Sequence, residues 1–399
     1  MSKDVGFYRR RLNNGVTVLF EKRERGVVAV SSSVKFGAQH ETVDMKGIAH
    51  FLEHLVFKGT KKRSVSDIAG EVESKGGILN AFTGEEITCF WNKMPSNHFS
   101  LGADISRDLV LNPVFEGKAL ERERKVVLEE IKMYHDNPSS HVLEGIKEML
   151  YKKPFNMSIA GNHETVSGLS RDQIIDVHKN IYSTNNIVFC VVGNASLKNV
   201  LREAKKFPKT QGDLPKLQIE KSNGEKIEKR SGIDQAHEVI GFHMPTLLEK
   251  NRYAAEVFDG ILGGGMSSRL FQEVREKRGL CYAVKTNLEQ SKDYAYEVIY
   301  VGTTKDKVKE VREIVMKEIK KLKNLKNSDL SEAKERLIGL RMISKEKCDS
   351  TMIELLQEEM GGDAENYYNY DENISKIKLQ EVRDLSNISG SSFVALVPK

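Results

Sequence analysis

The same order of strand-like and helix-like segments occurs twice along the chain, and this repetition constrains the fold most. In the first half, a strand-like run at 28–37 precedes a helix-like run at 48–57, and a β-branched run at 186–194 closes the half. In the second half, a strand-like run at 237–243 precedes a helix-like stretch at 251–262. A chain of 399 residues is longer than one hydrophobic core usually allows. We therefore predict an α+β fold of two similar domains, each a mainly antiparallel sheet packed with helices.

A stretch rich in proline, glycine and lysine separates the two halves. Residues 207–232 show little helical periodicity, so we interpret them as a linker. The predicted domains are therefore residues 1–206 and residues 233–399. Only the first half has a helix-like run with two histidines on one face, so the two halves differ in their chemistry.

Charge and apolar content exclude several classes of partner. The 62 basic and 57 acidic residues give a net charge of +5 without a long block of one sign, so we expect no nucleic-acid partner. The N-terminal segment has no apolar stretch long enough for a signal peptide or a membrane span, so we expect a soluble, cytoplasmic protein with no membrane partner. The four cysteines are far apart in sequence, and we interpret them as reduced core thiols.

The run IAHFLEHLVF, residues 48–57, places three polar residues in an otherwise apolar helix. Side chains on a helix turn by about 100° per residue, so His50, Glu53 and His54 share one face and the apolar residues share the other. Histidines four residues apart can bind one zinc ion from adjacent helical turns. Glu53 lies on the same face and is a candidate for activating a water molecule. The alternative interpretation is a surface or capping cluster without metal.

A second helix-like run, residues 117–135, offers a third ligand. Helical geometry puts Val126, Val127, Glu130 and Tyr134 on the same side of this helix as Glu123, and Glu129 points away from that side. A carboxylate on an apolar stripe must be paired, protonated or bound to a metal, because burial of a bare charge is unfavourable. Glu130 is therefore the better ligand, and Glu123 is a candidate partner for a histidine ring nitrogen. On this helix alone, exposed carboxylates among lysines and arginines are an equal alternative.

These motifs resemble those of the pitrilysin and insulin-degrading-enzyme type of zinc peptidases, the inverzincins with the motif HxxEH. The resemblance rests on HFLEH, on a glutamate within ERERKVVLEEI, and on the segments GGILNAFTGEEITCF, VVGN and GGGMSSRLFQEVREKRGLCYAV. These segments extend over most of the chain. The chain is most similar to the short, two-domain branch that resembles mitochondrial processing peptidase.

The resemblance implies a catalytic site with one zinc ion. It implies that His50, His54 and Glu130 bind the metal. It also implies that Glu53 is the catalytic base and that Glu123 supports the site.

The resemblance also implies where a substrate binds. Asn80 and Ala81 are expected on an edge strand that pairs with an extended peptide, a mode in which main-chain hydrogen bonds supply affinity for many sequences. Phe57 is expected to form a wall of the pocket just past the scissile bond, with ordinary core packing as the alternative. Arg275 and Tyr282 are expected to hold the substrate backbone and to stabilise the developing oxyanion.

The combined interpretation is a zinc metalloendopeptidase that hydrolyses peptides or unfolded segments of proteins with a water activated by Glu53. We expect a homodimer, because one chain carries both the zinc motif and the arginine and tyrosine pair. Two alternatives stay open: a non-catalytic scaffold subunit of the same fold, and the active subunit of a heterodimer with a glycine-rich partner. Phe90, where a tyrosine is common, and the segment 154–162 depart from the family pattern, so details of the substrate pocket also stay open.

Overall fold

Eleven strands and fourteen α-helices lie within residues 6–399, the part of the chain that the computed structural model describes, so the first five residues of the predicted domain 1–206 lie outside it. The strands are β1 (Phe7–Arg11), β2 (Thr17–Lys22), β3 (Val27–Val34), β4 (Ile78–Thr83), β5 (Thr88–Pro95), β6 (Ile187–Gly193), β7 (Glu225–Arg230), β8 (Ala236–His243), β9 (Cys281–Gln290), β10 (Ala295–Thr303) and β11 (Ser392–Pro398). The helices are α1 (Ile48–Val56), α2 (Val65–Glu73), α3 (Phe99–Leu111), α4 (Gly117–Asp136), α5 (Pro138–Leu150), α6 (His163–Gly168), α7 (Arg171–Ile181), α8 (Leu197–Ala204), α9 (Arg252–Gly263), α10 (Val308–Lys321), α11 (Asn327–Ser344), α12 (Cys348–Met360), α13 (Tyr370–Lys376) and α14 (Leu379–Asp384). A π-helical segment covers Phe271–Glu276.

Six strands form the sheet of a first compact unit, which comprises residues 6–131, 158–218 and 344–367. Their order is β1-β2-β6-β3-β5-β4, and β2 and β6 are the one parallel pair among them. The sequence explains the centre of this sheet. Every residue of β6, the run IVFCVVG, is buried, as expected for a strand that is covered on both faces.

Helix α1 packs its apolar side into the core of this first unit. Phe51, Leu52 and Leu55 are fully or almost fully buried in one apolar cluster with Val28 and Val30 of β3. The structure confirms the helix predicted at 48–57, with its last turn ending at Val56. The use of the apolar side for packing leaves the polar side of α1 for other contacts.

Five strands form the sheet of a second compact unit, which comprises residues 132–157, 219–343 and 368–399. Their order is β7-β11-β8-β10-β9, and β7 and β11 are the parallel pair. This order and these directions repeat the series β2-β6-β3-β5-β4 of the first sheet. The structure thus confirms the predicted α+β fold with two similar, mainly antiparallel sheets packed with helices.

Each sheet receives a helix from the other half of the sequence on its second face. Helix α12 packs against β3 and β6 of the first sheet and buries Met352 and Leu355 there. Helix α5 packs against β8 and β11 of the second sheet, where Ile146 and Val394 share an apolar cluster. Gly241 of β8 permits this approach, because a Cβ atom at that position would lie 2.7 Å from the Ile146 side chain. The two compact units are therefore discontinuous in sequence.

The domain boundaries taken from the sequence, at 1–206 and 233–399, follow the repeat of segments and stay a prediction. The predicted linker, residues 207–232, includes strand β7 at its end. Residues 6–399 contain no helix with the length and apolar character that a membrane crossing requires. All four cysteines are free thiols, and three of them are buried.

Candidate metal centre

A buried carboxylate fixes the first turn of α1. Glu41 accepts hydrogen bonds from the backbone N–H groups of Gly47, at 2.9 Å, and Ala49, at 2.7 Å, which a helix start leaves without a partner inside the helix. Burial raises the pKa of Glu41 to about 7, although Lys46 favours its charged form. Gly47 has a φ of 96°, and a Cβ atom there would lie 2.6 Å from the carbonyl oxygen of Ala160. These contacts set the position of α1 and of the side chains that it carries.

Three potential metal ligands converge beside α1. The ligand atoms of His50, His54 and Glu130 all lie within 4.8 Å of one another. His50 Nε2 is 3.7 Å from Glu130 Oε1, and His54 Nε2 is 3.3 Å from Glu130 Oε2. The two histidines come from successive turns of α1, and Glu130 comes from α4. The structure therefore brings together the three residues that the sequence predicted as zinc ligands.

Burial along α4 agrees in the main with the side predicted for Glu130. Glu123 and Val127 are buried and Glu130 is half-buried, whereas Glu129 is exposed. Val126 was expected on the apolar side, but it is 51% exposed, so the stripe beside Glu130 is only partly covered.

The Glu123 carboxylate contacts the His54 ring, and Lys58 contacts that carboxylate in turn. His54 Nδ1 lies 2.8 Å from Glu123 Oε1, and Lys58 Nζ lies 2.7 Å from Glu123 Oε2. A hydrogen bond at Nδ1 leaves Nε2 of the same ring as the metal-binding nitrogen and fixes the direction of the ring. Glu123 thus contacts the ring nitrogen of His54, and its role in support of the metal site stays a prediction.

The surroundings favour a neutral His50. Burial and, to a smaller extent, His54 lower the pKa of His50 to about 4. Burial also lowers the pKa of His54, but hydrogen bonds to Glu130 and Glu123 outweigh it, so this pKa lies above its ordinary value. A neutral imidazole has a lone pair for a metal, and the two carboxylates balance positive charge near His54.

The geometry of this group fits a zinc ion. Zinc binds histidine nitrogen and carboxylate oxygen at about 2.0 to 2.2 Å, so tetrahedral ligands are separated by roughly 3.4 Å. The separations of 3.3 and 3.7 Å from the glutamate to the two histidines are close to that value. Three protein ligands would leave the fourth position for a water or a substrate, as in catalytic rather than structural zinc sites.

Glu53 lies on the same side of α1 but outside the ligand group. Thr83, the last residue of β4, donates a hydrogen bond from Oγ1 to Glu53 Oε2 at 2.5 Å. Burial raises the pKa of Glu53, and the bond from Thr83 lowers it by less. The structure thus places the predicted catalytic base next to the predicted ligands, with one carboxylate oxygen already occupied.

The residues predicted to bind substrate near the zinc ligands lie at two places in the first unit. Asn80 and Ala81 belong to β4, an edge strand of the first sheet that pairs, within residues 6–399, with β5 alone. Ala81 packs against the core, and its N–H bonds to Asn80 Oδ1 at 2.8 Å. Phe57 directly follows α1, is half-buried, and packs with its ring centroid 6.1 Å from that of Phe90. Both the pocket and the core interpretation of Phe57 therefore stay open.

Arg275 and Tyr282 lie close to each other in the second unit. The Arg275 guanidinium is 4.7 Å from the Phe271 ring centroid and 5.5 Å from the Tyr282 ring centroid. Tyr282, the second residue of β9, is 78% exposed. Their assignment to substrate binding stays a prediction.

The sequence interpretation missed three residues that shape this centre. Lys58 stands four residues after His54, just past the end of α1, and this i, i+4 spacing is a signal that could have identified it. Thr83 lies in the segment GGILNAFTGEEITCF, which the family resemblance included. Its contact with Glu53 joins distant segments of the chain, so local sequence patterns do not indicate it. Glu41 precedes α1 by several residues and has no local signature of a helix cap.

This chain belongs to the insulinase family, peptidase family M16. Residues 17–163 match the family model described as "Insulinase (Peptidase family M16)", and residues 168–337 match the model described as "Peptidase M16 inactive domain". All the predicted zinc-site residues lie in the first match, and Arg275 and Tyr282 lie in the second. The family membership confirms the resemblance that the motifs indicated.

Individual relatives extend this similarity over nearly the whole chain. The chain is 31% identical over 346 residues to "Uncharacterized zinc protease YmxG" of Bacillus subtilis, covering 85% of this chain and 84% of that protein. It is 30% identical over 390 residues to an "Uncharacterized zinc protease" of Rickettsia bellii, covering 96% of this chain and 92% of that protein.

Solved structures show the same fold. The crystal structure of a protease from Helicobacter pylori has a TM-score of 0.93 at 21% identity and covers 99% of this chain and 100% of that chain. A peptidase M16 inactive domain from Pseudomonas fluorescens has a TM-score of 0.89 at 18% identity, with 99% of each chain covered. At these identities the two structures support the fold alone.

Proposed function

We propose that this chain is a zinc metalloendopeptidase that hydrolyses peptides or unfolded segments of proteins. The observation that carries the proposal is the convergence of His50, His54 and Glu130, with the Glu53 carboxylate beside them on α1. The relatives named zinc proteases support the same metal and the same class of reaction.

The proposed chemistry divides between the metal and one carboxylate. Zinc, when bound by the two histidines and Glu130, supplies a Lewis acid for the scissile carbonyl. Glu53 accepts a proton from the attacking water and then donates it to the leaving amine. Burial raises the pKa of Glu53 toward the range in which a carboxylate can do both near neutral pH. Because water is the nucleophile, no covalent intermediate with the protein is needed.

The proposed substrate is an extended peptide bound at the open edge of β4. An edge strand presents unpaired main-chain groups, and a peptide that pairs with them is bound largely without regard to its sequence. Asn80 and Ala81 are the residues of β4 that we propose to pair with the substrate. A folded protein does not offer such a free strand, so unfolded segments are the preferred substrates.

We also propose a homodimer in which Arg275 and Tyr282 of one copy complete the zinc site of the other. The family resemblance supports this proposal. It can be tested with a mixture of an inactive Glu53→Gln chain and an inactive Arg275→Ala chain. In a mixed dimer, one site keeps both Glu53 and Arg275, so activity should reappear after subunit exchange. Mixed dimers without activity would mean that Arg275 does not act across the dimer.

One experiment tests the proposed function against its main alternative. The metal content of the purified protein is measured, and the protein is incubated with a mixed peptide library with and without a chelator. We expect about one zinc per chain and cleavage that the chelator abolishes and added zinc restores. A protein that binds zinc and cleaves none of the peptides would favour the non-catalytic scaffold subunit, an alternative that is consistent with the match of residues 168–337 to the model described as "Peptidase M16 inactive domain".

A further inference from the structure

The position of the Glu53 carboxylate depends on a single hydroxyl group. Thr83 Oγ1 donates to Glu53 Oε2 at 2.5 Å, and no other hydrogen bond reaches this carboxylate from residues 6–399. Glu53 and Thr83 are both half-buried, so the contact between Thr83 Oγ1 and Glu53 Oε2 is partly shielded from solvent. A glutamate side chain has several rotatable bonds, and one fixed oxygen greatly reduces the orientations that the other can adopt.

We propose that Thr83 is a positioning residue that holds Glu53 for proton transfer, an inference that rests on the proposed peptidase function. With Oε2 bonded to Thr83, Oε1 is the oxygen that takes the proton of the attacking water. The water O–H bond breaks, an O–H bond forms at Oε1, and the same proton later goes to the leaving nitrogen. Thr83 itself neither gains nor loses a proton in this cycle.

The location of Thr83 connects this role to substrate binding. Thr83 ends β4 and lies opposite Thr88 in the β4–β5 register, so in the described part of the chain the sheet fixes its backbone on one side only. Asn80 and Ala81, the proposed peptide-pairing residues, precede it in the same strand. A peptide added along the open edge would fix β4 from the other side. The binding of a correctly paired peptide would therefore also steady the hydroxyl that holds Glu53.

A purely structural role for the contact is a real alternative. In the second unit, Thr286 of edge strand β9 donates a hydrogen bond to Asp259 of α9 in the same manner. No group of three metal ligands lies near Asp259 within residues 6–399. A threonine–carboxylate contact can therefore form for packing alone, and a loss of activity by itself would not establish the proposal.

The test compares three variants of the intact, zinc-loaded protein. Thr83→Val removes the donor with little change of volume, Thr83→Ser keeps the hydroxyl, and Thr88→Val is the matched control. Thr88 is the cross-strand partner of Thr83 and donates instead to the Phe36 carbonyl at 2.8 Å. For each variant we would measure kcat, KM, zinc content and thermal unfolding.

We expect Thr83→Val to lower kcat by about 10- to 100-fold, because a misplaced catalytic group loses its orientation. KM and zinc content should stay near the wild-type values, and Thr83→Ser should recover most of kcat. Thr88→Val should retain kcat even if it lowers the unfolding temperature. Wild-type kcat in Thr83→Val, no recovery in Thr83→Ser, or an equal loss in Thr88→Val would overturn the positioning role.

The outcome is distinguishable from a failure of the proposed function. A wild-type protein without chelator-sensitive hydrolysis would overturn the peptidase proposal and, with it, this inference. If the wild-type protein is active, the valine and serine variants alone decide the role of Thr83.

Discussion

Helices α1 and α9 occupy equivalent places in the two units but have different chemistry. Each helix follows a central strand, β3 or β8, and each carries a carboxylate that accepts a hydrogen bond from a threonine of the edge strand. In α1 this carboxylate, Glu53, stands among two histidines and Glu130 in a half-exposed group. In α9 it is Asp259, and its nearest acidic neighbour is the fully buried Glu297 of β10.

Asp259 and Glu297, the two neighbouring carboxylates of the second unit, are buried inside the fold. Burial and, to a smaller extent, the charge of Asp259 raise the pKa of Glu297 far above its ordinary value, which favours the protonated form of Glu297. Close packing surrounds this pair, since a Cβ atom at Gly263 would lie 2.1 Å from the Thr286 side chain. A carboxylate bonded to a threonine of the edge strand is therefore a feature that both units of the fold share. Neighbouring ligands and access from solvent make only one of the two copies a candidate site.

The largest expected effect is a difference in activity between substitutions of the two threonine-bonded carboxylates, Glu53 and Asp259. Glu53→Gln should lower peptide hydrolysis by at least about 100-fold, because general base catalysis is lost, while zinc stays bound. Asp259→Asn, the matched change in the second unit, should leave kcat of the folded protein near the wild-type value. Steady-state kinetics and metal analysis of both variants check this. Near wild-type turnover in Glu53→Gln would remove the functional difference between the two helices.

The second prediction concerns Glu130, the ligand that α4 places beside α1. Glu130→Gln should lose most of its zinc, because a neutral amide is a poor replacement for a carboxylate ligand. Glu129→Gln, next to it on the exposed side of α4, should keep its zinc. Metal content after dialysis against a weak chelator measures the difference. Equal zinc in the two variants would contradict the assignment of Glu130.

A smaller effect is expected from the loss of the Glu123 carboxylate that contacts His54 Nδ1. Glu123→Gln should weaken zinc binding by about 10- to 100-fold, the usual range for a residue that orients a metal-binding histidine. Glu121→Gln is the control, because Glu121 is exposed and pairs with Arg124 at 3.0 Å. Competition with a chromophoric chelator gives both affinities. Unchanged affinity in Glu123→Gln would show that the hydrogen bond to His54 does not contribute to metal binding.

The smallest expected effect is on the pH dependence of stability. Glu297 keeps its proton in the folded protein and loses it in the unfolded chain above about pH 4.5, so it lowers stability as pH rises. Its contribution to that slope is at most about 1.4 kcal/mol per pH unit. Glu297→Gln removes this proton exchange, and the free energy of unfolding should then fall less between about pH 5 and pH 8. The free energy of unfolding of both proteins is measured by urea denaturation at several pH values. The same pH dependence in the wild-type protein and in Glu297→Gln would contradict the protonated state of Glu297.

The sequence predicted those features that arise from local periodicity. The i, i+4 spacing of His50 and His54 and the apolar side of the same run determine both the packing and the free face of α1. The face argument on α4 distinguished Glu130 from Glu129 for the same reason. The repeated order of strands and helices was also sufficient for the fold class.

The contacts between distant segments could not be predicted in this way. Periodicity shows that α5 and α12 each have an apolar side, but it does not show which sheet that side covers. The bond from Thr83 to Glu53 requires the register of β4 against α1, and a single threonine in a strand carries no signal for it. Glu41 likewise becomes a helix cap only once the turn before α1 is formed.

Helices α5 and α12 each pack on the sheet that the other half of the sequence forms. This arrangement affects how the chain can be synthesised, divided or rearranged. The face of the first sheet on which α12 packs stays uncovered until the ribosome has released residues 348–360. By then β6, the last strand of that sheet in the sequence, has long been complete. A fragment that ends near residue 206 would expose the apolar surface of β3 and β6 on which α12 packs, and it would also lose three polar links to that helix. These links join Arg9 to Glu359, Arg23 to Thr351 and Lys93 to Asp349. We therefore expect that neither half folds alone, and that a gene cut between the halves yields two fragments that become native only when mixed.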